Sequence, residues 1–79
     1  MMKVKKLIKQ LKKLDPEAEV LVASDEEGNS FDTAAGAWEY QALFHGYREW
    51  SIMNEADIKA GEYNEYDLEN AKKVVVVWP

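Results

Sequence analysis

Asp25, Glu26, Glu27, Asn29 and Asp32 crowd oxygen-bearing side chains into one short stretch, a density that can hold a hard cation. A calcium loop needs oxygens at alternating positions, glycine at the sixth and a bidentate glutamate at the twelfth. Counted from Asp25, the sixth residue is Ser30 and the twelfth is Gly36. The spacing excludes that loop, and the cluster reads as a solvated turn. His45 is the only histidine and there is no cysteine, so a transition-metal site lacks its nitrogen and sulfur ligands. Neither Ser24, Ser30 nor Ser51 sits in a nucleophile-elbow motif. The four glycines are scattered and form no phosphate-cradling loop. Fifteen carboxylates offer many pairs, but nothing singles out two of them, and 79 residues leave little room for a deep cleft. The expectation is a protein that is not an enzyme, with no metal and no cofactor.

Binding chemistry has more support. Residues 54 to 70 hold six acids against Lys59 alone, with Tyr63 and Tyr66 set among them. Tyrosine beside acids is typical of recognition surfaces, where one ring supplies both apolar area and a hydrogen bond. Asp25, Glu26 and Glu27 repeat the acidic theme, so the expected partner-binding residues are these three with Tyr63, Glu65, Tyr66 and Asp67. A second chemistry uses the aromatic middle of the chain. Trp38, Tyr40 and Trp50 could stack on a base while Arg48 meets a phosphate, which would suit a small nucleotide-like ligand.

The charge distribution weighs on these options. Net charge is −5. Residues 1 to 14 carry six lysines and no acid, so residues 15 to 79 hold fifteen acids against four bases, a net of −11. Such a body repels nucleic acid and suits a basic partner. The longest apolar run, Val74 to Trp78, is far short of a bilayer span, and the N-terminus has no apolar signal core. No membrane association is expected, and the absence of cysteine fits the cytoplasm.

The elements that must position these residues follow from periodicity. A chain of 79 residues, 47% of them hydrophobic, is expected to fold as a single compact domain over 1–79. Val4, Leu7, Ile8, Leu11 and Leu14 lie on one stripe of an α-helix, with Pro16 as its stop. Glu19 to Ser24 and Val74 to Val77 are apolar on both faces and read as interior strands lying side by side, with the helix on one face. Gly28 supplies a positive φ to the turn between Asp25 and Asn29. Trp38 to Phe44 alternates as a half-buried strand, and His45-Gly46 turns it into a partner over Tyr47 to Met53. A continuous apolar face favours a register with Tyr40 opposite Ile52 and Ala42 opposite Trp50. Most of the large aromatics, Trp38, Tyr40, Phe44, Trp50 and Trp78, are expected in the core. Asn54 can cap a short helix to Ala60, stopped by Gly61, and Glu62 to Asn70 is a loop or a single helical turn. The fold class is α+β: an N-terminal amphipathic helix packed on a small, mainly antiparallel sheet of about four strands, with one or two short helical turns before the last strand.

The stretch Leu11 to Asn29, LKKLDPEAEVLVASDEEGN, together with the terminal Val77-Trp78-Pro79, resembles a family of small tailed-phage proteins. Those proteins begin with an amphipathic helix ending in leucine and proline, continue through a valine-rich strand and an acidic turn, and close on Trp-Pro. Asp15-Pro16 departs from the double proline common there, and the aromatic middle diverges. The resemblance covers about a third of the chain and brings no catalytic residue. It implies a context: phage accessory proteins often act on host proteins or host signalling molecules, including defence systems. The expected function is a non-catalytic phage-encoded binding protein in the cytoplasm of an infected bacterium, inhibiting a host protein through its acidic surface. That partner would be a nucleic-acid-binding protein, whereas direct binding of nucleic acid is not expected. The alternative is a sponge for a nucleotide-type signalling molecule.

Overall fold

A computed structural model describes all residues from Met1 to Pro79. The chain is α+β, with three helices and two small antiparallel sheets. It divides into two units. The first comprises residues 1–36 and 77–79, the second residues 37–76.

In the first unit, α1 (Val4–Leu11) places Val4, Leu7, Ile8 and Leu11 on one stripe, each between about a third and a half exposed. The helix ends before Leu14, which corrects the expected length. Lys13 N–H donates to Gln10 O and Leu14 N–H to Leu11 O, tightening the chain into three-residue turns. Asp15 must leave the α region ahead of Pro16, so the helix unwinds early. Asp15 then caps the next turn, its Oδ1 accepting from Glu17 N–H at 2.9 Å.

β1 (Leu21–Ala23) pairs antiparallel with β2 (Phe31–Thr33), Val22 lying opposite Asp32. Ala34 N–H donates to Val20 O and Ser24 N–H to Ser30 O, each at 2.9 Å, so the hairpin runs a residue further at both ends. β2 is short and alternates weakly, which hides it in the sequence. The interior pairing expected between β1 and the C-terminal strand is not formed. A hairpin closed by a short turn forms at less entropic cost than a pairing across fifty residues of chain.

The second sheet has the order β4-β3-β5, built from β3 (Gly36–Gly46), β4 (Glu49–Met53) and β5 (Lys72–Trp78). The eleven residues of β3 make it the centre, with a neighbour on each side. Ala42 lies opposite Ile52 and Phe44 opposite Trp50, so the register is two residues from the expected one. A bulge at His45 and a turn through Tyr47-Arg48 account for the shift, with Gly46 at φ 107° and Tyr47 at φ 47°. Because the displacement is even, Tyr40, Ala42, Phe44, Trp50 and Ile52 still share one face.

Asn54 caps α2 (Glu55–Lys59), its Oδ1 accepting from Ala56 N–H at 2.8 Å, and Gly61 follows at φ 77°. Asn64 caps α3 (Glu65–Asn70) in the same way through Asp67 N–H. Both short helices stand before β5, as expected. The expected aromatic core is not observed. Ala42 and Met53 are the buried residues, 0% and 3% exposed, while Trp38, Phe44, Trp50 and Trp78 are exposed and Tyr40 is half-buried.

Candidate functional site

The acidic turn between β1 and β2 is built around one side chain. Asp25 Oδ1 accepts from Glu27 N–H at 3.0 Å and Asn29 N–H at 3.2 Å, while Oδ2 accepts from Asn29 Nδ2 at 2.7 Å. Asp25 is thereby committed to holding the loop. These bonds, the Asn29 side chain first, hold its carboxyl below the usual carboxylate range. Gly28 sits at φ 70°, and a Cβ there would come within 3.3 Å of the Phe31 ring. The loop backbone therefore has a defined shape, which presents Glu26 and Glu27 to solvent. Asp32, from the same sequence cluster, lies on β2 opposite Val22.

The second group of expected contact residues lies in the other unit, on α3 and the loop before it. Tyr66 is 73% exposed and Glu65 is exposed, whereas Tyr63 and Asp67 are half-buried. Tyr63 is thus a partly packed ring that keeps some exposed surface. Asn70 Nδ2 donates to Tyr66 O at 2.7 Å and ties the end of α3 to its first turn. Tyr66, Asp67 and Asn70 line an open depression of about 270 Å³ with Leu43, Phe44 and His45 of β3 and Lys72. Asn70 and Lys72 were not among the expected residues. Only the pairing of β3 with β5 brings Lys72 to β3, where its Nζ lies 5.6 Å from the centre of the Phe44 ring.

The residues of the alternative ligand site are spread along the sheet. Trp38 and Tyr40 follow each other on the apolar face of β3, and Trp50 lies on the same face of β4. Trp50 stands opposite Phe44, with ring centroids 4.8 Å apart and planes tilted by 38°. Tyr40 is four residues back from Phe44, roughly 13 Å along the strand. Tyr40 and Trp50 therefore form no two-sided clamp for a base. The Arg48 guanidinium lies 5.4 Å from the Tyr47 ring in the turn beyond Trp50.

Chemistry beyond binding finds little geometry. His45 Nε2 lies 2.7 Å from Ser51 Oγ, linking the bulge in β3 to β4, and both residues are exposed. No three of the His, Asp and Glu side chains converge on a point where they could share a metal ion. No helix is long and apolar enough to cross a membrane. Comparison with family models, curated proteins and solved structures finds no match for the chain.

Proposed function

We infer that the chain is a non-catalytic, phage-encoded binding protein that inhibits a host protein by presenting carboxylates to a basic, nucleic-acid-binding surface. The observation that carries this reading is the Asp25 turn. Three hydrogen bonds to one carboxylate organise the loop, so Glu26 and Glu27 extend from a backbone that needs no ordering when a partner arrives. Glu65 and Tyr66 on α3 offer the same chemistry in the second unit, an exposed ring beside acids. A net charge of −11 over residues 15 to 79 steers a basic partner and repels nucleic acid itself.

Capture of partners from a host lysate, followed by binding measurements over a salt series, tests this. Association should weaken steeply as salt rises, and reversing Glu26 and Glu27 to Lys should remove it with the fold intact. Binding indifferent to both changes would sink the acidic mode. A second reading, sequestration of a nucleotide-type signal, draws on the exposed aromatic face that carries Trp38 and Trp50. Calorimetry against cyclic and ADP-ribose-type nucleotides separates the two. Tight binding lost in Arg48→Ala or Trp50→Ala, and untouched by the acidic reversal, would put the small ligand first.

A further inference from the structure

Residues 1 to 14 hold the sharpest contrast in the chain, an aliphatic stripe among six lysines with no acid. At about 100° per residue, Val4, Leu7, Ile8 and Leu11 cover one arc of α1 roughly 100° wide. Lys5 and Lys12 fall beside that arc, and Lys6 and Lys9 fall behind it. Every residue of α1 is exposed, and none of the four stripe residues is less than 37% exposed.

α1 also forgoes local stabilisation to stay cationic. Lys3 stands at its N-cap without a side-chain cap bond, and no acid lies in its first turn. Both α2 and α3 have a capping asparagine and first-turn acids. Lysines in a first turn meet the positive end of the helix dipole, an unfavourable placement in water that nearby anions would offset.

We propose that α1 lies on an anionic bilayer surface, its aliphatic stripe at the boundary of headgroups and acyl chains and its lysines among the lipid phosphates. Charge complementarity selects this occupant, because an acid-free lysine segment suits a negatively charged leaflet. Residue types favour lipid over a protein groove or a nucleic acid. Protein hot spots rely on aromatic rings and arginine, and residues 1 to 14 contain neither. The planar fork of arginine suits carboxylates and phosphates held in fixed geometry. Lysine is a compact charge on a flexible stem, which suffices for a fluid surface. Its stem can lie along the apolar boundary while the ammonium group reaches water.

A helix so placed lies in the interface and spans nothing, so the lack of a crossing helix does not bear on it. It departs from the expectation of no membrane association, which rested on the lack of a span. The acids of residues 15 to 79 oppose approach to the surface, so binding requires the stripe as well as the charge. The proposal does not depend on the acidic binding mode, which uses other residues.

Vesicle flotation of the full chain tests it, with phosphatidylcholine alone against equal parts phosphatidylcholine and phosphatidylglycerol. The chain should float with the anionic vesicles, stay behind with the neutral ones, and detach at high salt. Replacing Lys5 and Lys12 with Gln should lower partitioning at least about tenfold, and replacing Lys6 and Lys9 less, because these lie farther from the surface. Leu7→Gln together with Leu11→Gln should lower it by at least about tenfold with all six lysines in place. Circular dichroism checks that each variant keeps its fold. Should one fail, hydrogen exchange on the unaltered chain decides: the amides of Ile8 to Lys12 should slow with anionic vesicles and not with neutral ones. Absent flotation with anionic vesicles at every salt concentration overturns the proposal. So does equal flotation with neutral vesicles, equal loss from the two lysine pairs, or flotation indifferent to the leucine replacements. Equal slowing of the same amides by a DNA duplex, or by concentrating the chain without vesicles, also overturns it and assigns α1 to a polyanion or a second copy.

Discussion

Asp25 shows how a single carboxylate can serve shape while its neighbours serve contact. Its bonds to Glu27 and Asn29 favour the ionised form, so its folded pKa lies below its unfolded value. Stability from a lowered carboxyl is fully present above the unfolded value and is lost as pH falls through the lowered one. An NMR titration should give Asp25 a midpoint under the ordinary aspartate value, and Asn29→Ala should move it back up. An Asp25 midpoint that ignores Asn29→Ala would mean the turn is held by something else. Gly28 belongs to the same loop. Its φ of 70° disfavours any Cβ, and the Phe31 ring would crowd one further. Gly28→Ala should lower stability by about 1 kcal/mol, measured by urea unfolding. Gly61→Ala, at φ 77° with open space around it, should cost less, and the difference should shrink in a Phe31→Ala background.

At the scale of elements, the two short helices depend on their caps. Neither α2 nor α3 has a buried residue, and helices of this length are unstable alone in water. Asn54 and Asn64 each satisfy a backbone donor that would otherwise go unpaired. Replacing either with Ala should cost about 1 kcal/mol, read from the unfolding midpoint, while Asp in place of Asn should be tolerated. A null effect at Asn64 would show that α3 is held by its neighbours in the unit and not by its cap. The same element carries Tyr66 and Asp67, so loss of the Asn64 cap should also weaken any partner contact made there. The β3–β4 hairpin behaves differently. Its register is set by the bulge at His45 and the positive φ of Tyr47. Tyr47→Gly should therefore be neutral or stabilising, because it relieves a left-handed backbone.

For the molecule as a whole, the small core concentrates sensitivity in few places. Ala42 is 0% exposed at the centre of the middle strand, flanked through pairing by Ile52. Ala42→Asp buries a carboxylate with no partner in a domain whose stability is typically ~5–15 kcal/mol. The expected result is loss of a cooperative melting transition, seen by calorimetry. Lys9→Ala, on the solvated side of α1, should shift stability by less than about 0.5 kcal/mol. Near-parental melting of Ala42→Asp would remove β3 from the centre of the fold.

Local signals in the chain determined the α+β class, the amphipathic face of α1, the Gly28 turn, the cap at Asn54 and the apolar face of the β3–β4 hairpin. Each depends on contacts within a few residues, where spacing and turn chemistry act directly. Only the tertiary structure decided which strands pair. Both β1 and β5 are apolar on two sides, a property that suits several neighbours, and the weakly patterned Phe31–Thr33 captured β1 locally. Register was likewise beyond reach, because an even shift leaves every side chain on its own face and changes only its opposite number. The candidate surfaces divide on the same line. The carboxylates of the Asp25 turn were legible because one loop holds them all. The depression lined by His45, Asn70 and Lys72 was not, because strand pairing alone brings those residues together.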